Sequence, residues 1–201
     1  MSVNDSDNNQ VLLLNGLIQD AGSGAPGNGN TAIIINNQGS SNADKGVVRF
    51  DGQNTFTGKV VVQSGTLRTE GNNSGINSAL GAVGVGNETI VQQGGRLDLR
   101  DRDIAVDGQD DTEIVHIAGT GLNSYGGNAE RGGLGALINT SGTAQLSHLV
   151  LDGDATVGGY STITVEAHTD SAAATVNGIL DGGGFTLTKR GGNYLILDNT
   201  D

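Results

Sequence analysis

The chain has 201 residues with 10 basic and 22 acidic side chains, which gives a formal net charge of −12 at pH 7. Aromatic residues make up 3% and tryptophan is absent, so the sequence lacks the stacking platforms and basic stripes that nucleic-acid binding needs. The absence of cysteine excludes disulfide frameworks, thiolate zinc sites and cysteine nucleophiles. We therefore expect no nucleic-acid partner and no thiol redox chemistry.

Short runs rich in β-branched residues, bounded by Gly, Asn, Asp and Ser, recur along the chain and predict strands. In chain order these runs are residues 46–50, 59–63, 66–69, 89–92, 96–99, 113–117, 146–151, 162–166, 185–189 and 194–197. No segment keeps the spacing of an amphipathic helix over about 11 residues, and no apolar run approaches the roughly 18 residues of a membrane span. The start, Met1 to Asp5, lacks the positive charge of a signal peptide. We predict an all-β chain that does not insert into a membrane.

Two all-β architectures compete: an antiparallel sandwich or barrel, and a parallel β-solenoid. Narrow corners such as Gln63-Ser64-Gly65-Thr66 fit both. Composition separates them, because 35 glycines with three Phe, three Tyr and one proline suit the narrow interior and left-handed bends of a solenoid. We predict one continuous solenoid over residues 1–201, with about eight or nine rungs of roughly 22 residues.

Two internal correspondences indicate that the chain is a segment of a longer polypeptide. Residues 15–20 are similar to residues 177–181, and residues 46–51 are similar to residues 192–198. The two offsets differ, which predicts an insertion in the Gly/Asn/Ser-rich stretch 25–44 around Pro26. We expect this stretch, and residues 122–135, to project from the solenoid as loops.

Several short stretches rich in glycine, threonine, valine and leucine together carry a family resemblance. They are Gly52-Gln53-Asn54-Thr55-Phe56-Thr57-Gly58, Val60-Val61-Val62, Ser64-Gly65-Thr66-Leu67 and Ala79-Leu80-Gly81, with Leu187-Thr188-Lys189-Arg190-Gly191-Gly192-Asn193-Tyr194-Leu195-Ile196-Leu197 near the C-terminus. These stretches resemble the autotransporter-associated β-strand repeat of bacterial surface proteins. The resemblance covers about residues 46–198. It implies a right-handed, single-stranded parallel β-helix at the bacterial cell surface, a passenger or stalk without catalytic residues.

Three acidic clusters are the candidates for chemistry. They are Asp101 with Asp103, Asp107 with Asp110 and Asp111, and Asp152 with Asp154. Paired carboxylates can act as acid and base on a glycosidic bond, or hold Ca²⁺ through oxygen ligands. Aspartate beside glycine is also typical of plain turns with solvated carboxylates. The alternatives to a non-enzymatic module are therefore a polysaccharide-active lyase or hydrolase that uses Asp101, Asp103, Asp152 and Asp154, and a calcium-stabilised solenoid.

The three histidines, His116, His148 and His168, fall outside any close metal-ligand spacing. We expect each of them to be structural or on the surface. No Gly-x-Ser-x-Gly elbow supports a serine hydrolase. The leading prediction accordingly assigns no catalytic, cofactor-binding or metal-binding residue.

The leading functional prediction is a non-enzymatic structural or adhesive module of an extracellular bacterial surface protein. Its expected partners are neighbouring repeats of the same polypeptide, and a polysaccharide or other cell-surface ligand. Loops 25–42 and 122–135 are the candidate binding elements, the second with Tyr125, Glu130 and Arg131. Because the terminal rungs of a solenoid expose strand edges, we also expect end-to-end self-association, which the charge of −12 opposes.

Overall fold

The computed structural model describes residues 11–20, 31–37, 46–70, 77–104, 113–122, 135–166, 168–170, 175–177 and 180–198. Within these ranges the chain forms eighteen strands and no helix, so the all-β prediction is confirmed. Accordingly, no helix in the described ranges could cross a membrane. The strands are β1 (Val11–Leu14), β2 (Thr31–Asn36), β3 (Val47–Phe50), β4 (Lys59–Thr69), β5 (Asn77–Ser78), β6 (Gly81–Ala82), β7 (Thr89–Val91), β8 (Gly95–Asp98), β9 (Ile114–Gly119), β10 (Leu137–Asn139), β11 (Thr143–Leu146), β12 (His148–Gly159), β13 (Thr162–Glu166), β14 (His168–Asp170), β15 (Thr175–Asn177), β16 (Leu180–Asp181), β17 (Leu187–Lys189) and β18 (Leu195–Asp198).

Two long ladders of parallel strands form an eleven-stranded sheet. In the first ladder β1, β3, β4, β8, β10 and β12 stack in that order, and β17 follows β12. In the second ladder β2, β4, β7, β9 and β12 stack, and β16 follows. A third parallel ladder contains β11, β13 and β18. Among the described strands only two short pairs, β5 with β6 and β14 with β15, are antiparallel.

Strand β4 belongs to both long ladders because it bends at Gly65. Its first half pairs with β2 and β7, and its second half pairs with β3 and β8. Gly65 has a φ of +87°, and a Cβ at this position would lie 3.0 Å from the Cβ of Asn37. Only glycine adopts this conformation in such a space without strain. The predicted narrow corner at Gly65 is thus a bend within one strand rather than a turn between two strands.

The chain travels an uneven distance between stacked strands. Paired residues of neighbouring strands are 19 positions apart for Val47 and Thr66, 30 for Thr66 and Arg96, and 40 for Leu97 and Leu137. Parallel stacking with long sequence steps and no helix in the described ranges is compatible with a β-solenoid.

Aliphatic side chains from the ladders fill the interior. Stacked rows include Val62, Val91 and Ile117 in the second ladder, and Leu67, Leu97 and Leu137 in the first. Each fully buried side chain of this size contributes about 2 kcal/mol of hydrophobic stabilisation. The interior also holds Phe50 and Phe56, whose rings meet edge to face with centroids 6.4 Å apart.

One expected loop is partly a strand. Residues 31–36, inside the stretch 25–44, form β2, which pairs with β4 and buries Ile35 in the core. The glycine, asparagine and serine around this short Thr-Ala-Ile-Ile-Ile-Asn run give the whole stretch the composition of a loop. A prediction from composition therefore misses the strand. The remainder of 25–44, apart from Asn37, lies outside the described residues, as does most of the second expected loop at 123–134.

Candidate functional site

The first acidic cluster, Asp101 with Asp103, lies where the chain leaves β8. Asp101 adopts a φ of +65°, which aspartate tolerates better than most residues. Its Oδ1 accepts a hydrogen bond from the backbone N–H of Thr143 at 3.2 Å, and Asp103 Oδ1 accepts one from Gln145 N–H at 3.0 Å. Desolvation raises the pKa of Asp103, and the neighbouring Asp101 charge adds to this rise. Both carboxylates therefore bond to the backbone of the adjacent strand β11.

The acidic cluster of Asp152 and Asp154 lies within β12, at a register shift between Leu151 and Ala155. Such an irregularity lets neighbouring side chains leave the regular alternation of a strand. Asp154 Oδ1 accepts a hydrogen bond from the backbone N–H of Thr186 at 2.8 Å. Asp154 thus bonds to the backbone of the residue just before β17, whereas Asp101 and Asp103 bond to the backbone of β11 itself.

Asp152 instead pairs with a histidine. Its Oδ1 lies 2.9 Å from Nδ1 of His116 on the neighbouring strand β9, although the two residues are 36 positions apart. His148 begins β12, the strand that pairs with β9. Burial lowers the pKa of His148, and the charge of His116 lowers it further. His168 belongs to β14 in a separate two-stranded sheet. The structure therefore brings together two of the three histidines and one candidate aspartate.

Several predicted candidates lie outside the described residues. These are Asp107, Asp110 and Asp111, which form the remaining acidic cluster, and Tyr125, Glu130 and Arg131 of the expected loop 122–135. Their roles stay predictions.

Asparagine side chains fasten successive strands where the chain turns. Asn54 Oδ1 accepts from Ile18 N–H at 2.9 Å, and its Nδ2 donates to the Ala79 carbonyl at 2.6 Å. Asn139 Oδ1 accepts from Asp101 N–H at 3.1 Å, and its Nδ2 donates to the Thr162 carbonyl at 2.8 Å. Each amide therefore joins the turn before it to the turn after it, which supplies the hydrogen bonds that buried backbone groups require.

A buried ion pair joins β4 and β8 in the first ladder. Arg68 Nε donates to Asp98 Oδ2 at 3.1 Å, and Thr140 Oγ1 donates to both Asp98 oxygens at 3.0 and 2.9 Å. Burial raises the pKa of Asp98, although Arg68 and Thr140 counteract that rise. Three successive strands are thus joined by one carboxylate, which is a structural use of charge that the sequence pattern does not reveal.

A fully buried arginine, Arg96, holds both ends of the excursion 122–135. Its Nε donates to the Gly135 carbonyl at 3.2 Å, and an NH2 group donates to the Leu122 carbonyl. Burial lowers the pKa of Arg96 to about 10, against the opposing effect of Asp98, so the side chain is charged at neutral pH. Arg96 therefore joins Leu122 and Gly135, the two described residues on either side of residues 123–134.

Glu113, which is fully buried directly before β9, is a second buried carboxyl with a raised pKa. Its Oε1 accepts a hydrogen bond from Thr89 Oγ1 at 2.7 Å, while Oε2 is buried without a hydrogen-bond partner among the described residues. Burial raises the pKa of Glu113 to about 8, with a further increase from the Glu88 charge. The alternation Glu113-x-Val115-x-Ile117, which places all three side chains on one face, is the sequence signal for this burial.

The described residues contain no group of three or more His, Asp or Glu side chains arranged to hold a metal ion. The pair suited to acid–base chemistry is His116 with Asp152. A carboxylate that bonds to Nδ1 orients the imidazole and leaves Nε2 for proton transfer. The chain matches no protein-family model, and searches of curated proteins and of solved structures find no match either. The resemblance to the autotransporter-associated repeat therefore stays a prediction from the sequence.

Proposed function

We propose that the chain is a right-handed, single-stranded parallel β-helix that serves as a non-enzymatic stalk or adhesive module of an exported bacterial cell-surface protein. The observation that carries the proposal is the continuous parallel stacking of β1, β3, β4, β8, β10 and β12. Strands in such a ladder are about 4.8 Å apart, so stacking produces a rod whose length grows with the number of turns. The strand registers advance by 19 residues from Val47 to Thr66 and by 40 from Leu97 to Leu137, so the proposed turns differ in length.

The assignment of the acidic residues supports a structural role. Asp101 and Asp103 accept backbone hydrogen bonds from β11, and Asp154 accepts one from Thr186 just before β17. Each of these hydrogen bonds satisfies a backbone N–H of the neighbouring turn and so helps to order it. These three side chains are accounted for by the stacking of the solenoid, without a substrate.

Adhesion would be carried by exposed loops on this rigid scaffold. Loop 122–135 is the better candidate, because Arg96 fixes both of its ends from a fully buried position. Of the stretch 25–44, residues 31–36 belong to the scaffold as β2. Polysaccharides and other cell-surface glycans are the expected class of ligand.

The test is incubation of the purified chain with a panel of soluble and insoluble polysaccharides, measuring both depletion of protein and appearance of new chain ends. We expect depletion without new ends, and its loss when residues 123–134 are replaced by a short Gly-Ser linker. A control replaces residues 71–76, which lie between two described segments, by a Gly-Ser linker of the same length. If neither depletion nor cleavage occurs with any polysaccharide, the adhesive role is refuted and the stalk role alone remains.

A polysaccharide-active enzyme is the second candidate, and the His116–Asp152 pair is the observation that favours it. This activity predicts new chain ends that disappear in both Asp152→Asn and His116→Gln. Asp154→Asn is the matched control, because Asp154 bonds to a backbone amide instead of a histidine. New ends that vanish in the first two variants but persist in the control would replace the non-enzymatic proposal.

A further inference from the structure

Two histidines lie on the outer face of the second ladder. In the register between β9 and β12, Ile114 pairs with His148, and His116 pairs with Val150. Val115, which lies between Ile114 and His116, is fully buried in the core. Because side chains alternate along a strand, and paired residues of a parallel ladder point to the same face, both histidines point outward.

The two histidines occupy one diagonal of this four-residue patch. Neighbouring strands lie about 4.8 Å apart and each residue rises about 3.3 Å, so the two Cα atoms on such a diagonal are about 8 Å apart. A metal ion about 2 Å from one nitrogen of each ring can join two imidazoles at this spacing. Burial lowers the pKa of His148 and the charge of His116 lowers it further, which is a second indication that the two rings are close together.

Asp152 orients one of the two rings. Its Oδ1 lies 2.9 Å from Nδ1 of His116. An ionised carboxylate only accepts hydrogen bonds, so Nδ1 carries the hydrogen, and Nε2 of the neutral ring keeps its lone pair. Metal-binding histidines almost always donate their other ring N–H to a carboxylate, a backbone carbonyl or water, which fixes the ring and strengthens it as a ligand. The side chain of His116 is 24% exposed, so an ion from solution can reach it.

A second carboxylate borders the histidines. Asp181 of β16 pairs with Val150, so it continues the outward row to which His116 belongs. It also lies within electrostatic range of His148. Two carboxylates beside two neutral imidazoles favour a cation over an anion as the ligand of this patch.

We propose that His116 and His148 bind one divalent transition-metal ion, with Asp152 as the hydrogen-bond partner of His116 and water at the remaining coordination positions. Imidazole nitrogen suits copper, nickel and zinc, and Cu²⁺ binds such ligands more tightly than Ni²⁺ or Zn²⁺. A site with two protein ligands agrees with the finding that the described ranges hold no larger His, Asp or Glu group for a metal. The site goes beyond the proposed stalk or adhesive role, which does not depend on it.

The first experiment is NMR spectroscopy of the wild-type chain without a histidine tag. The chain has three histidines, so three sets of imidazole signals are expected. Substoichiometric Cu²⁺, which is paramagnetic, should broaden the signals of His116 and His148. It should leave those of His168 sharp, because His168 belongs to β14 in a separate sheet. Broadening of one ring alone, of all three rings equally, or of none would overturn the proposal.

The second experiment is isothermal titration calorimetry of the chelator-treated chain with Cu²⁺, Ni²⁺ and Zn²⁺. We expect one histidine-dependent ion per chain, bound most tightly when it is Cu²⁺. His116→Gln and His148→Gln should each weaken binding at least tenfold, whereas His168→Gln, the matched control, should bind like the wild-type chain. Asp152→Asn should weaken binding about 10- to 100-fold. Its control is Asp154→Asn, which removes the same charge from a carboxylate that bonds to a backbone amide.

Thermal unfolding followed by circular dichroism completes the test. Melts in chelator show whether each variant is folded. Because the two ligands come from different strands, the ion binds the folded chain in preference to the unfolded one, so Cu²⁺ should raise the melting temperature of the wild-type chain. The double variant His116→Gln/His148→Gln should show no such rise. An equal rise in the double variant, or wild-type affinity in either single histidine variant, would contradict the two-histidine site.

Discussion

The buried carboxyl of Glu113 should make the stability of the fold depend on pH. Its pKa is raised from 4.5 to about 8 by burial and by Glu88, so at pH 7 the folded chain holds a proton that the unfolded chain has released. A raised pKa in a carboxyl means that stability is greatest below the unfolded pKa and falls as pH rises towards the folded pKa. Between pH 4.5 and pH 7 the fall is about 1.4 kcal/mol per unit, or about 3 kcal/mol in total.

Glu113→Gln removes this titration, because the amide stays neutral while its oxygen can still accept the Thr89 hydrogen bond. We expect the free energy of unfolding of the variant, relative to the wild-type chain, to increase by about 3 kcal/mol from pH 4.5 to pH 7. Any fixed cost of burying the amide cancels, since only the change with pH is used. Urea unfolding followed by circular dichroism at half-unit pH steps measures it.

Glu88→Gln is the control for this series. Burial would raise the pKa of Glu88, but backbone hydrogen bonds and Lys59 outweigh that effect and lower it. A carboxyl with a lowered pKa is ionised in both the folded and the unfolded chain near neutral pH. The difference between this variant and the wild-type chain should therefore change only slightly from pH 6 to pH 7, through the loss of the Glu88 charge that helps raise the pKa of Glu113. A Glu113→Gln difference that is equally flat from pH 4.5 to pH 7.5 would refute the burial of a protonated Glu113.

Four further predictions follow from the same contacts. Arg96→Met should destabilise the chain by about 3 kcal/mol in urea unfolding, because two buried carbonyls lose their donor. Gly95→Ala should cost at least about 3 kcal/mol, since its Cβ would collide with the Val62 carbonyl oxygen, whereas Gly16→Ala, with open space around it, should change stability by less than about 0.5 kcal/mol. Asp154→Ala should cost about 1 kcal/mol and speed hydrogen exchange at the Thr186 amide. The melting temperature should be equal in millimolar calcium and in chelator, and a rise with calcium would instead support the calcium-stabilised alternative.

The strands could be predicted from the sequence because each carries its own local signal. Runs such as Lys59 to Gln63 and Thr162 to Glu166 combine β-branched residues with turn residues at both ends, and both are strands in the structure. Strand β2 was missed because its isoleucines are embedded in glycine, asparagine and serine, whose composition indicates a loop. A local pattern is therefore reliable only where its surroundings do not outweigh it.

Contacts between turns could not be predicted, because they depend on how far the chain travels before it returns to the ladder. Arg68 meets Asp98 after 30 residues, His116 meets Asp152 after 36, and Asp98 meets Thr140 after 42. No fixed repeat sets these steps, so the sequence alone does not show which carboxylate faces which cation. Glu113 is the exception, because its alternation with Val115 and Ile117 already places it on the inner face.

The aspartates bear directly on the choice between a structural module and an enzyme. General acid–base catalysis needs a carboxyl within hydrogen-bond reach of the proton that it transfers, whereas a carboxylate oxygen that accepts a backbone N–H is already engaged within the fold. Asp101, Asp103 and Asp154 are engaged in this second way. Of the four candidate aspartates only Asp152 bonds to a titratable side chain, and it does so through His116. The enzymatic alternative thus reduces to one pair of residues, so two substitutions and one control decide between the two proposed functions.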